Sequence, residues 1–475
     1  MNTRFHPIIA ASFVITSFLS AADVKGWRNG GNGLFPEAKP ALDWKADSKL
    51  KWVTALDSRS NASPILVGGK LFLTAEPATL ICVDAKSGKI LWEKSNEYGD
   101  LVEMTPEERA KAEAAKGEAE ALTKKAEPLE RDLYRAERRL RRNRGDKELE
   151  KEVAELKAKI AEITKATGGN SASDRKPKTH DTNGYASYTP VSDGKHVFAC
   201  YGIGVVVAYD FEGNRVWHKR FEGPDHDWGG ACSPTLVGGK LIMRFKDYHA
   251  LDPATGEELW RTPSEGVVFN AAANFELEGK AFLITPRGEL IRVDDGKKLW
   301  SAGYEVEAKP WCFMNTPSVI GNRIYFAHGS EGQQGDAYCL GIPSTVADME
   351  KAGLKEIWHT ETVKNRYYSS PLVVDGVVHL ITRDYDLQAL DAATGELFYE
   401  QKVKGLTGTA YPSLTLAGEV IVVGAEDGRV AFVKPGKTYE EVARTEVKPF
   451  RCSPIFADGV GYLRTQESLM AIAGE

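Results

Sequence analysis

The densest group of side chains able to move a proton or bind a metal is Asp225-His226-Asp227-Trp228. His226 beside Asp225 or Asp227 has the makings of an acid–base pair or of the first ligands of a metal site. No second histidine is clustered with it, and a lone histidine in a polar loop is ordinarily a surface side chain. The stretch from Arg383 to Asp386 reads as a turn between strands, and the Gly-rich run from Gly329 to Asp336 as a longer loop. There is no G-x-S-x-G elbow, no phosphate loop and no nucleophile triad. The six cysteines, Cys82, Cys200, Cys232, Cys312, Cys339 and Cys452, include no adjacent pair, no C-x-x-C and no zinc spacing. Cys82, Cys200 and Cys339 sit in apolar runs and read as core thiols. No residue is nominated as catalytic or as a metal ligand.

A second set of residues recurs. Just ahead of repeated Ser/Thr-Pro steps stand Asn61; Tyr185 and Tyr188; Trp228; Asn270 and Asn274; Trp311 and Asn315; Tyr367 and Tyr368; Thr409 and Tyr411; Arg451 and Cys452. Aromatic rings, amides and a guanidinium brought onto one rim suit a polar, stacking ligand or a segment of a partner. The candidate binding set is therefore Asn61, Tyr185, His226, Asp227, Trp228, Asn270, Trp311, Asn315, Tyr367, Tyr368, Tyr411 and Arg451. These residues are far apart in the chain, so a repeating architecture must gather them.

The repeat is legible. SPILVGGKLFL from Ser63, TPVSDGKHVFA from Thr189, SPTLVGGKLIM from Ser233 and TPSVIGNRIYF from Thr316 align with SPLVVDGVVHL from Ser370, PSLTLAGEVIV from Pro412 and SPIFADGVGYL from Ser453. NAAANFELEGKAFLI from Asn270 is an eighth copy, with Ala272 in the place of the proline. Each is a short apolar run, a Gly turn and a second apolar run, the pattern of a strand hairpin. A half-motif follows most copies: VDAKSGKILW to Trp92, AYDFEGNRVW to Trp217, ALDPATGEELW to Trp260, RVDDGKKLW to Trp300 and ALDAATGELFY to Tyr399. This reads as strand, Asp-Gly turn, strand, with Gly88, Gly256 and Gly395 at positions needing positive φ. The closing aromatic is expected to dock on the next unit's turn.

Four-stranded units of about 40 residues with Gly and aromatic cues predict an all-β fold, an eight-bladed β-propeller. The last unit stops at Glu475 after three strands. LKWVTAL from Leu50 has the form of the missing fourth strand, with Trp52 as its docking aromatic, so the N-terminal side of the chain is expected to close the ring and remove its open edges.

Residues 1–22 combine Arg4, an apolar run from Ile8 to Leu19 and the small Ser20-Ala21-Ala22, the order of a secretory signal peptide. The run is short for a transmembrane span, no later segment reaches the necessary length, and no Cys follows for lipid attachment. The mature chain is expected to be periplasmic or secreted, and monomeric. With 61 Lys+Arg against 67 Asp+Glu, a net charge of −6, nucleic acid is not an expected partner.

Thr105 to Ala166 breaks the composition, with 17 Lys+Arg and 15 Asp+Glu. Leu122, Ala126, Leu129, Leu133, Ala136 and Leu140 form one apolar seam, and Leu149, Val153, Leu156, Ile160 and Ile163 another. Two seams spaced by three and four residues around Gly145 predict an antiparallel coiled-coil hairpin. The expected organisation is a signal peptide (1–22), a lead-in with closing strand and first blade (23–104), the helical hairpin (105–166) and the remaining blades (167–475).

The ALDPATGEELW element resembles the tryptophan-docking motif of the quinoprotein-type, PQQ-repeat propellers, and GWRNGGNGLFP from Gly26 resembles the lead-in of exported members. The resemblance covers roughly residues 26–104 and 184–475. One branch, the PQQ-dependent alcohol dehydrogenases, implies a quinone and Ca²⁺ in the funnel, held with an adjacent disulfide-bonded Cys pair that this chain lacks. The other resembles the non-catalytic propeller subunit of the outer-membrane β-barrel assembly machinery. The expectation is a binding or assembly module that holds an envelope protein or a small polar ligand at the funnel rim and helical arm, with no firm cofactor. A PQQ-dependent oxidoreductase, with PQQ and Ca²⁺, and a carbohydrate-binding propeller are the alternatives.

Overall fold

The computed structural model describes residues 23–45, 47–101, 176–224, 226–264, 269–303 and 313–475, together with 122–166 apart from positions 123, 127, 141, 142 and 144. The expected signal peptide, the first part of the insertion, Asp225, Trp311 and Cys312 lie outside the described residues. No helix among the described residues is long and apolar enough to cross a membrane.

Eight antiparallel meanders follow one another as the blades of a propeller. Blade 1 spans 65–95, blade 2 191–220, blade 3 235–262, blade 4 273–301, blade 5 318–362, blade 6 372–402 and blade 7 415–446. Blade 8 takes three strands from 455–473 and its outer strand from Leu50–Ala55, with Trp52 opposite Ala471 and Thr54 opposite Leu469. The ring is therefore closed by a strand from the N-terminal side of the chain. Blade 7 carries an additional, inner strand: Leu34–Phe35 runs parallel to Thr415–Ala417.

The strand patterns follow from position in the disc. In blade 1, Leu80 and Cys82 pack toward blade 2 while Ile81 and Val83 pack toward blade 8. Alternate side chains of one strand thus enter two different inter-blade cores, and the run reads as continuously apolar. The outer strand Ile90–Ser95 has one solvated face and alternates in burial. Cys82, Cys200, Cys232, Cys339 and Cys452 are buried free thiols.

Aromatic residues of the outer strands latch neighbouring blades. The indole N–H of Trp52 donates to Ala85 O (3.1 Å), Trp92 to Phe211 O (3.1 Å), Trp217 to Pro253 O (2.8 Å), Trp260 to Val293 O (2.7 Å) and Trp358 to Ala392 O (3.1 Å). Each ring lies over the Asp-Gly turn of the next blade. At Gly88, with φ of 74°, a Cβ would stand 2.5 Å from the Trp52 ring, so close approach and backbone conformation both require glycine.

The repeat register differs from the sequence reading at one blade. Ser413, not Pro412, is the counterpart of Ser370, and Leu414 occupies the place of Pro371, because the inner strand begins at Thr415 as it does at Leu372. The N–H that leucine has and proline lacks donates to Ser369 Oγ (3.0 Å).

Within the insertion, residues 128–140 are helical and a second helix spans Lys147–Ala166. Arg139 pairs with Glu152 (2.6 Å) and Lys157 with Glu137 (2.9 Å), so the two helices run side by side in opposite directions. Ala136 and Val153 are buried between them, and Ala126, just ahead of the first, is buried too.

Candidate functional site

The repeated Ser/Thr builds a hydrogen-bonded collar around the channel. The Ser453 N–H donates to Ser63 Oγ (3.1 Å), Ser63 to Thr189 Oγ1 (3.0 Å) and Thr189 to Ser233 Oγ (3.0 Å). Across the disc Thr316 N–H donates to Ser370 Oγ (3.0 Å), Ser370 to Ser413 Oγ (3.1 Å) and Ser413 to Ser453 Oγ (3.0 Å). The collar is interrupted at blade 4, where Ala271 has no hydroxyl and its carbonyl accepts from Thr316 Oγ1 (3.0 Å). The adjacent prolines need no partner for an N–H in this crowded ring.

Above the collar lies a cavity of about 320 Å³. Its wall is formed by the residue two positions before each collar residue: Asn61, Ser187, Ala231, Phe269, Met314, Tyr368, Tyr411 and Arg451. One arc, Arg451-Asn61-Ser187, is polar. The opposite arc, Phe269 to Tyr411, is apolar and aromatic, and Tyr368 and Tyr411 lie 5.3 Å apart.

The wall charges are satisfied internally. Arg451 pairs with Glu426 (Nε to Oε1, 2.8 Å), donates to Thr182 O (3.0 Å) and lies 5.2 Å from the Tyr411 ring. Arg366 pairs with Glu331 (3.4 Å) and donates to the Tyr368 hydroxyl (3.3 Å). Asn61 Nδ2 donates to Thr182 O (2.6 Å) and Ser187 Oγ (3.0 Å). Thr182 lies on the segment returning from the insertion, so this return is part of the wall. It is clamped by Glu76, whose carboxylate accepts from the Tyr185 N–H (2.8 Å) and Ala186 N–H (2.7 Å). Burial pushes the Glu76 carboxyl up while those N–H groups pull it down. A side chain at Gly184 would collide with the same carboxylate.

Trp228, 38% exposed, stands at the mouth and stacks on His180 with centroids 3.9 Å apart. His226 Nδ1 accepts from the Trp228 N–H (3.0 Å), and Asp227 pairs with Lys178 (3.5 Å) on the exposed rim. Residues 226–229 thus form a turn, closed by the Gly229 N–H on His226 O (2.8 Å). Of the candidate set, the structure brings Asn61, Trp228, Asn270, Tyr368, Tyr411 and Arg451 to the cavity. It places Tyr367 in the core, donating to Gln388 Oε1 (2.7 Å), and Asn315 in the core, donating to Ala327 O (2.6 Å) and Tyr367 O (3.0 Å). Tyr185 faces the returning segment, its hydroxyl on Pro177 O (2.8 Å). Neighbouring residues of an extended segment point to opposite sides, so a pair such as Tyr367-Tyr368 supplies one ring to the channel.

The floor is Trp27, which sequence reasoning did not nominate. It belongs to the segment after Asp23, which runs across the channel below the collar. Val24 forms a bridge with Leu66, Lys25 O accepts from Ser192 N–H (2.8 Å), and Gly33 O from Leu416 N–H (2.9 Å). Arg28 is buried and donates to the carbonyls of Leu414 (2.9 Å) and Pro371 (3.4 Å). Burial among these carbonyls pushes its guanidinium down to about 9.

The PQQ-repeat family model described as outer membrane protein assembly factor BamB matches residues 41–228, 202–338 and 326–443, together most of the chain. The chain belongs to this family. A curated relative, the outer membrane protein assembly factor BamB of Yersinia pestis, is 24% identical over 273 residues, 53% of this chain and 65% of that protein. The match thus spans just under two thirds of the relative's length. Among solved structures, the quinohaemoprotein alcohol dehydrogenase of Comamonas testosteroni superposes with a TM-score of 0.53 at 12% identity, covering 95% of this chain and 81% of that one. The computationally designed Ika8 protein gives 0.53 at 10% identity, covering 90% and 99%. At these identities the likenesses show the fold.

The described lining of the cavity offers few ligands for a calcium ion. Calcium takes six to eight oxygens, with carboxylates prominent. The described lining residues offer the amides of Asn61, Asn183 and Asn270 but no carboxylate, and Glu426 and Glu331 are held by arginines. Among the described residues no group of three or more His, Cys, Asp or Glu could hold a metal ion. Cys452 lines the cavity singly, its thiol donating to Arg464 O (3.2 Å) and pushed up to about 11 by burial.

Proposed function

We propose that the chain is an exported, periplasmic binding or assembly module whose upper cavity, with the adjoining helical arm, holds a segment of an envelope protein. The observation that carries this reading is the wall ring, an aromatic arc facing a polar arc with both wall arginines already paired to glutamates. Such a wall stabilises an apolar or aromatic side chain and its flanking peptide groups better than a free ion. Family membership supports the assembly role, since the relatives are named for outer membrane protein assembly. The arm contributes because its returning segment, through Thr182 and Asn183, is part of the wall.

The test compares the full chain with Tyr411→Ala and Trp228→Ala in affinity capture of outer-membrane assembly proteins, alongside dye-linked alcohol oxidation with added PQQ and Ca²⁺ and titration with oligosaccharides. Capture that falls at least tenfold in both variants, without PQQ-dependent turnover, is expected. Turnover that depends on PQQ and is lost in Trp27→Ala would replace this reading with an oxidoreductase. Saturable glycan binding lost in Trp228→Ala would replace it with a carbohydrate-binding propeller.

A further inference from the structure

The segment after Asp23 seals only half of the channel. The inner strands it covers, Ile65–Val67, Val191–Ser192, Leu372–Val374, Thr415–Ala417 and Ile455–Ala457, are buried throughout. The inner strands of blades 3, 4 and 5, Thr235–Val237, Ala273–Leu277 and Ser318–Ile320, are each partly exposed. They face a groove of about 810 Å³ on the lower side of Trp27, away from the upper cavity. We propose that this groove is a second binding site, which takes an extended, arginine-bearing segment of another protein. The segment pairs along the inner edges of blades 3 to 5, and its guanidinium rests on the carbonyls of Ala272 and Pro317, at the inner edges of neighbouring blades.

Three observations lead there. Among the described residues no fifth strand covers these inner edges, and an open strand edge is a template for an added strand. The chain also displays the mode of binding on the other half of the channel. Leu34–Phe35 adds in parallel to the inner strand of blade 7, and Arg28 caps the carbonyls of Pro371 and Leu414. Ala272 and Pro317 occupy the matching register position in the neighbouring blades 4 and 5 and line the groove, so the repeat offers there a pair placed as Pro371 and Leu414 are in blades 6 and 7. Finally, the groove wall carries Asp23, Asp193 and Glu276 against Lys25, a surplus of negative charge that favours a basic occupant. Leu236 and Val319, half-buried on the groove wall, offer apolar contact to the segment's alternate side chains.

The probe is the fluorescently labelled peptide GWRNGGNGLFP, a copy of residues 26–36, titrated into the full chain by anisotropy. Saturable binding is expected, weakened at least tenfold by Arg→Gln in the peptide and by Val319→Arg or Glu276→Arg in the chain. Glu276 is exposed, so its reversal keeps the fold, and the melting transition of both variants verifies this. No saturable binding, or binding indifferent to both groove variants, overturns the proposal. Loss of peptide binding in Tyr411→Ala would place the peptide in the upper cavity and also overturn it. Concentration-dependent dimerisation broken by Val319→Arg would assign the groove to a second copy of the chain, with the same consequence.

Discussion

Ser413 shows how a single hydroxyl holds the centre of the disc. It accepts from Ser370 N–H, and its own N–H donates to Ser453 Oγ, so two blade junctions meet at one residue. Ser413→Ala leaves the buried Ser370 N–H without its acceptor and is expected to cost about 1–3 kcal/mol in denaturant unfolding. An unchanged midpoint would show that the collar does not hold the blades together. His379 gives the fold a pH dependence. It is buried in blade 6, its Nε2 accepts from Gly436 N–H (3.2 Å), and burial pushes its pKa down to about 4. The unfolded chain binds this proton near the ordinary histidine value and the folded chain resists it. Its contribution is therefore complete above about pH 6.5 and is lost as pH falls toward 4, by about 2 kcal/mol at pH 5. Stability measured from pH 7 to 5 should fall less in His379→Gln than in the native chain, whatever the variant's stability at pH 7. Parallel curves would contradict the assignment. The collar positions were legible as a recurring Ser/Thr-Pro, but their role was not, because the bond partners are 40 or more residues apart.

Elements whose signals are local were readable. The hairpins, their turn glycines and the closing strand at Leu50 announce themselves through short apolar runs and an aromatic at a fixed distance from a turn. Opening that strand tests the closure. Thr54→Pro removes a ladder donor opposite Leu469 and also the Thr54 hydroxyl bond to Gly88 O (2.5 Å). A loss of about 3 kcal/mol or more and a broader transition are expected, and a native-like melt would show that the ring does not depend on this strand. The segment from Asp23 to Phe35 was not readable as a channel-filling element. It follows no repeat, and its anchoring bonds, from Arg28 to Pro371 and Leu414, span 343 and 386 residues. Tyr367 and Asn315 stand close to a Ser/Thr-Pro step, but the alternation of an extended chain turns them into the core instead of the rim. Counting back two residues from each collar position recovers the wall, including Phe269 and Met314.

At the scale of the molecule, the disc has two unlike mouths and one inserted arm. The upper mouth is a blind cavity walled in part by the arm's return, and the lower is half sealed by the chain's own N-terminal side. The arm should be separable from the blades provided the return is kept. A chain joining Leu101 to Lys176 by a short Gly-Ser linker retains Thr182 and the Glu76 clamp on Tyr185 and Ala186. It is expected to lose its helical circular dichroism, keep a cooperative melt and capture partner less well. Aggregation would instead make the arm a structural part of the blades.

Whether the upper mouth holds a partner protein is read out by site-specific photo-cross-linking in the envelope of living cells. A photoreactive residue replaces Tyr411 inside the cavity, Trp228 at its mouth, or Leu259, which is 49% exposed on the outer strand of blade 3. A discrete adduct with an outer-membrane assembly protein is expected from positions 411 and 228 and not from 259. Adducts from 259 alone, or none from the mouth in a chain that still captures its partner, would contradict it.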